Sequence, residues 1–380
     1  MDSIAQNWRE LSGENNWDGL LNPINFNLRL YLIHYGERAG ACESAFNKKK
    51  ASKAYGHCLY PPNQFFTKLC LQNGNPYKYT VTSFVYALTD KVSVWMGIVA
   101  VTTDEGKLAL GRRDIMISWR GTMSQIEWDL DIQSNLIPAQ DLFGKLDNTR
   151  VHSGFHSIYT SSSPLSVFSQ TSARDQVLNE IKKLVKKYRD EEISISVTGH
   201  SLGASLATLT AIDIVANGCN IKPTGEACMV TAFAFASPRI GDAGLKKVLS
   251  RLNHLHILRI SNIPDDVPDY PPKEWQYVDL GEELKIDSTR SIYLKPEVNS
   301  HEIEVYLHGI AGMQEDGKFK LAVDRDISLV NKAQDALKDE YGVPVAWWAN
   351  DKNNNMVQMD NGFWKLEEYI PDPPNTTSSQ

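Results

Sequence analysis

Cysteine is scarce and unpatterned in this chain. The five, Cys42, Cys58, Cys70, Cys219 and Cys228, are odd in number, scattered over 380 residues, and never in C-x-x-C or metal-ligand spacing. That excludes a disulfide-stapled fold and points to free thiols in a reducing compartment. No apolar run approaches the ~18 residues needed to span a bilayer. The opening Met1-Asp2-Ser3-Ile4-Ala5-Gln6-Asn7-Trp8 has neither the basic and apolar regions of a secretory signal nor the arginines of a transit peptide. A cytoplasmic location with only peripheral membrane contact is therefore expected. An excess of positive charge is also missing: the formal net charge is -7, so nucleic acid is not an expected partner. The lysines at Lys48-Lys49-Lys50 and along Lys182-Lys183 and Lys186-Lys187 read as solvated surface, weak attraction to anionic lipid headgroups being the lesser alternative. No metal cluster is visible, and no cofactor is expected.

What is present is a well-mixed globular composition, 42% hydrophobic and 22% charged, sufficient for one large core. Residues 1–90 read as a helical and irregular extension packed on that core, with a helix over Pro23–Glu37. From residue 91 strand-like runs alternate with helical ones, which predicts a mainly parallel sheet with crossover helices on both faces. The strand candidates are Val92–Val101, Asp114–Trp119, Ile193–Val197, Met229–Phe235 and Leu255–Ile260. Between two of them, Ala173–Arg189 has an amphipathic rhythm at Val177, Leu178, Ile181, Leu184, Val185 and Tyr188. The expected organisation is a catalytic domain over 91–325, a C-terminal part over 326–370 with a helix at Asp326–Tyr341 and an aromatic stretch, and a frayed tail at 371–380.

Gly199-His200-Ser201-Leu202-Gly203 matches G-x-S-x-G, and its context gives the match its weight. A β-like run, Ile193–Val197, precedes it, and a small-residue helix from Ala204 to Ile212 follows. A strand, sharp turn and helix in that order present Ser201 Oγ above the sheet edge in a strained conformation. Gly199 and Gly203 are expected where a Cβ would collide with the neighbouring strand and helix. The helix N-terminus aims N–H groups and a positive dipole end at a developing oxyanion. The rival account is an ordinary glycine-flanked turn.

A serine hydroxyl needs an imidazole to take its proton, and the imidazole needs a carboxylate to fix its tautomer. In this architecture the acid and then the histidine follow the serine in the chain. That order disfavours His152 and His156. His254 and His256 precede the best acid and read as core or surface residues. The acid should lie in a loop at a strand's C-terminal edge, where Asp265 and Asp266 both qualify by spacing. His301 follows the cap-like pair Asn299-Ser300 ahead of a helical stretch over Glu302–Gly309 and is the expected base. His308, further along that helix, reads as packed or surface.

At this point the motifs resemble the class 3 (fungal-type) lipase family and, within it, the plant class II phospholipases A1. The likeness runs along nearly the whole chain, through Asn16-Trp17-Asp18-Gly19-Leu20-Leu21-Asn22-Pro23, Trp119-Arg120-Gly121-Thr122, Val151-His152-Ser153-Gly154-Phe155, the elbow, Phe235-Ala236-Ser237-Pro238-Arg239 and His301–His308. It implies Asp265 as the acid, His301 as the base, and Thr122 and the backbone N–H of Leu202 as the oxyanion donors. It also implies a lid over Met123–Ile132, with Ile126, Trp128, Leu130 and Ile132 as its apolar residues; a plain surface hairpin fits the same pattern. Asp266 departs from the fungal pattern, which has an apolar residue there, and two adjacent carboxylates would raise one pKa by repulsion.

These observations together predict an α/β-hydrolase-like fold. They also predict an acylhydrolase acting through Ser201, Asp265 and His301 on the sn-1 ester of a glycerophospholipid presented at a membrane or micelle. The alternatives are a mono- or diacylglycerol or galactolipid lipase with the same triad, a hydrolase of small soluble esters, and a lipase-like signalling scaffold without catalysis.

Overall fold

The computed structural model describes residues 3–123, 134–144, 148–315, 318–348 and 355–367. Its centre is a seven-stranded sheet whose strands lie side by side in chain order. They are β1 (Tyr79–Thr89), β2 (Val92–Thr102), β3 (Arg113–Trp119), β4 (Ile193–His200), β5 (Met229–Phe235), β6 (Leu255–Asn262) and β7 (Glu282–Ile286). The first three pair antiparallel, and β3 to β7 are parallel. This is the mainly parallel α/β-hydrolase sheet expected from the alternating pattern.

The pleat sorts side chains between two faces. Ile115, Ile117, Ile195, Val197, Val230 and Ala232 point to one core; Met116, Phe233, Phe235, Leu258 and Ile260 point to the other. Helices α2 (Ala173–Lys187) and α3 (Leu202–Ala216) cover the first face, and α1 (Phe26–Ser44) and α4 (Ile303–Ala311) the second. Val177, Leu178, Ile181, Leu184 and Val185 of α2 are buried as read from the sequence, whereas Tyr188 is its C-cap and half-buried, so the helix ends at Lys187 and not Arg189. Ser172 caps it by accepting from Asp175 N, Asp175 sits in its first turn and Lys186 and Lys187 in its last, all favourable to the helix dipole.

Three further expectations change. The 90/91 boundary falls at the tip of the β1–β2 hairpin, so residues 79–89 are part of the sheet itself. Helix α1 starts later than expected, because Asn25 caps it by accepting from Asn27 N and Leu28 N, and it runs on to Ser44. The helix expected over Asp326–Tyr341 is instead two short 3-10 turns, Ile327–Asn331 and Asp339–Tyr341. Its polar side chains compete for the backbone: Asp326 caps Ser328 N, and Asn331 Oδ1 accepts from Ala336 N and Leu337 N. The aromatic stretch that follows gathers Trp347, Trp348 and Trp364, with Trp347 buried and bonded from Nε1 to Ser328 O. The tail at 371–380 lies outside the described residues. Among the described residues no helix is long and apolar enough to cross a membrane.

Candidate active site

The site forms where β4 gives way to α3. Ser201 sits between them with φ 56° and ψ -127°, a strained conformation for a residue with a Cβ. Neighbouring glycines make the turn sterically possible. A Cβ on Gly199 would lie 2.2 Å from Gly203 O, and one on Gly203 would lie 2.6 Å from Trp119 O. The elbow is held in the sheet by Ser201 N donating to Phe235 O, and Ala204 N returns a bond to Ser201 O.

Three side chains remote in sequence meet here. His301 Nε2 is 2.9 Å from Ser201 Oγ, and His301 Nδ1 is 2.8 Å from Asp265 Oδ2. A carboxylate can only accept, so Nδ1 carries the proton and Nε2 is free to accept from the serine hydroxyl. Ser201 and His301 are partly open to solvent, whereas Asp265 is buried. Asp266 is exposed, so geometry separates the two acids that spacing left equal.

Burial works against ionisation of Asp265. Bonds from His301, from the Tyr306 hydroxyl and from Val267 N outweigh it and hold the carboxyl below its ordinary range. The rise expected from two adjacent carboxylates therefore does not occur at Asp265. Tyr306 is an addition that sequence reading missed. It lies one turn into α4, and only the fold brings its hydroxyl to Asp265.

The loops that bring acid and base together are themselves tied. Asn262 Nδ2 donates to Ser288 Oγ and Ser300 O, Ser288 N donates back to Asn262 Oδ1, and Ser300 Oγ donates to Pro264 O. His301 N donates to Asn299 Oδ1 in a local turn ahead of α4, whose N-cap is Glu302 and not the Asn299-Ser300 pair.

Beside the elbow runs the turn that leaves β3. Trp119 pairs with Gly199, which puts Arg120-Gly121-Thr122 at the same sheet edge as Ser201. Arg120 is fully buried, donates from Nε to Trp95 O and from a terminal nitrogen to Gly121 O, and lies 4.1 Å over the Phe46 ring. This anchoring was not read from the sequence. Thr122 is half-buried on that turn, and Leu202 opens α3 on the other side of the serine. The proposed lid residues Ile126, Trp128, Leu130 and Ile132 lie outside the described residues.

The remaining histidines are elsewhere. His254 and His256 are at the start of β6, the opposite end of the strand from Asn262. His152 stacks on Phe155 at 3.8 Å, and His156 is paired with Asp141. His308 is buried against Ser291 Oγ at 2.7 Å and stacked on Phe319. Among the described residues no His, Cys, Asp and Glu side chains are grouped to hold a metal ion. All five cysteines are free.

An α/β sheet with a strained serine elbow and an imidazole–carboxylate pair in line defines a serine ester hydrolase. Residues 116–275 match the family Lipase (class 3). The chain is 46% identical to phospholipase A1-IIgamma of Arabidopsis thaliana, covering 96% of this chain and 93% of that one. It is also 46% identical to phospholipase A1-II 4 of Oryza sativa subsp. japonica, over 97% and 96% of the two chains. Among solved structures, the triacylglycerol lipase of Penicillium expansum is similar at 18% identity and a TM-score of 0.47, over 68% of this chain and 81% of that one. The chain belongs to the phospholipase A1-II family of class 3 lipases.

Proposed function

We propose that the protein removes a fatty acyl chain from glycerophospholipids, at the sn-1 ester, with Ser201 as nucleophile, His301 as general base and Asp265 as its orienting carboxylate. The observation that carries this is the unbroken chain of hydrogen bonds from Ser201 Oγ through His301 to Asp265, at 2.9 and 2.8 Å, beginning at a strained elbow. His301 takes the hydroxyl proton as Ser201 Oγ attacks the ester carbonyl. The imidazolium that forms is stabilised by Asp265 and then protonates the leaving alcohol of the lysolipid. Water, deprotonated by the same imidazole, releases the fatty acid from the acyl-enzyme. The carbonyl oxygen becomes an oxyanion between the N–H of Leu202, at the N-terminus of α3, and Thr122 on the neighbouring turn. The substrate class follows from family membership, since the relatives named above are phospholipases A1. Working on such a substrate places the enzyme at a membrane or micelle surface, and the five free thiols support a cytoplasmic setting.

The test is hydrolysis of isomer-labelled phosphatidylcholine, a galactolipid and a triacylglycerol by wild type and by Ser201→Ala, Asp265→Asn and His301→Ala. Release of the sn-1 acyl chain by wild type is expected, with each variant folded and slower by roughly 10⁴-fold or more. Preferential cleavage of galactolipid or acylglycerol would replace the substrate, and full activity in His301→Ala would replace the base.

A further inference from the structure

A second imidazole–carboxylate pair stands directly behind the first. His200, the residue before the nucleophile, is buried, with Nδ1 2.8 Å from Glu43 Oε1 and Nε2 2.6 Å from the main-chain oxygen of His301. A carbonyl oxygen can only accept, and so can a carboxylate. An imidazole donating from both nitrogens is the cationic form. Its ring centre is 4.8 Å from that of His301. Glu43 also touches the neighbouring turn, because a Cβ on Gly121 would lie 2.5 Å from the same Oε1 that His200 bonds. The carboxylate at the end of α1 thus holds His200 of the serine elbow and lies against the turn carrying Thr122, while His200 itself reaches the base loop.

We propose that His200 and Glu43 are positioning residues for the acyl-transfer site: His200 grips the His301 loop by its carbonyl, and Glu43 fixes the His200 ring and cancels its charge behind the base. This rests on the Ser201–His301–Asp265 assignment above. The surroundings agree with an ion pair. Burial opposes both charges, yet Glu43 and the His301 carbonyl raise His200, and His200 brings Glu43 down. The other groups facing the pair are Glu302 ahead of α4, Tyr306 on α4 with its ring 6.2 Å from His200, Lys48 beyond α1, and His301 itself. Burial, and then Glu43, push Glu302 up toward its neutral form, which leaves Glu43 as the counter-charge.

The experiment compares wild type, His200→Gln and the double variant Glu43→Gln/His200→Gln on a soluble short-chain ester, with Ser201→Ala as the control. For His200→Gln, kcat is expected to fall about ten- to hundredfold with KM little changed, as a loosened base does. The acid limb of its kcat/KM profile should move to higher pH, because the uncompensated Glu43 carboxylate favours the protonated base. In the double variant the limb should return to the wild-type position while kcat stays low. An unmoved limb in His200→Gln, or kcat near wild type, would overturn the proposal. Nitrogen NMR of histidine-labelled wild type supplies a measure independent of whether the variants fold: one ring should carry protons on both nitrogens at neutral pH, and finding none would also overturn it. Activity surviving in Ser201→Ala would instead remove the underlying site assignment.

Discussion

The Tyr306 hydroxyl donates to Asp265 Oδ2 at 2.6 Å, the same carboxylate oxygen that His301 Nδ1 bonds, and accepts from Asn262 N at 3.2 Å. One residue of α4 therefore supports the acid directly and the strand end that carries it.

Tyr306→Phe should separate that support from the packing of the ring. Losing the hydroxyl leaves Asp265 with one donor fewer and the Asn262 N–H without its acceptor. The expected costs are about 1–3 kcal/mol of stability and roughly a tenfold drop in kcat, with KM unchanged. Urea unfolding and ester kinetics on the same preparation check both, and an unaltered kcat would relegate Tyr306 to packing.

Beneath the site, Asp114 is fully buried in β3 and accepts from Tyr79, Tyr35, Ser194 and Ser196 at 2.6 to 3.0 Å, with Arg112 3.7 Å away. Asp114→Ala leaves the buried Arg112 guanidinium without its counter-charge, which costs on the order of 3–5 kcal/mol. The denaturation midpoint should fall accordingly, while activity per folded molecule stays near wild type, because this network contains no residue of the triad.

His308 gives a pH dependence of stability. Burial first, and Arg325 second, hold its pKa down near 3 from the ordinary 6.5. The folded protein keeps His308 neutral where the unfolded chain takes up a proton. The stability is complete above pH 6.5 and is lost as pH falls toward 3, at up to about 1.4 kcal/mol per pH unit. Burial lowers His34 and His256 as well, so the slope is shared. Unfolding free energies between pH 6.5 and 4.5 should show a shallower slope in His308→Gln than in wild type, and identical slopes would refute the assignment.

Gly199→Ala tests the elbow. The added methyl would sit 2.2 Å from Gly203 O and 2.8 Å from Ala204 N, main-chain atoms of the helix that Ser201 begins. Either α3 shifts, or the protein fails to fold. Ester turnover should fall by at least about a hundredfold, since displacement of the nucleophile by ~1 Å already costs that much. A structure of the variant, or its melting temperature if none is obtained, distinguishes the two routes.

Much of this was written in the sequence because it is local. Strand Ile193–His200, the two glycines and the helix from Leu202 follow one another without a break, so periodicity and steric need locate the elbow and Ser201. The amphipathic α2 was legible for the same reason: its apolar positions repeat at helical spacing over four turns. The strands Tyr79–Thr89 and Glu282–Ile286 were not. One is an edge strand that opens on a Thr- and Ser-rich stretch before Phe84–Leu88, and the other is a short edge strand mixing charged and buried residues, so neither is apolar throughout as a central parallel strand is. The helix bearing Glu43 was read as ending at Glu37; it runs on to Ser44, with Gly36 and Gly40 packed closely against Leu307, Phe235 and Ile303. Spacing could not choose between Asp265 and Asp266 either. The fold chose, by burying one against His301 and Tyr306 and leaving the other in solvent. Sequence alone determined the elbow and the place of Ser201 in it, which depend on a few consecutive residues. Only tertiary structure could decide which side chains surround it, because hydrogen bonds between residues 43, 200, 265, 301 and 306 exist only when separate elements meet at one edge of the sheet.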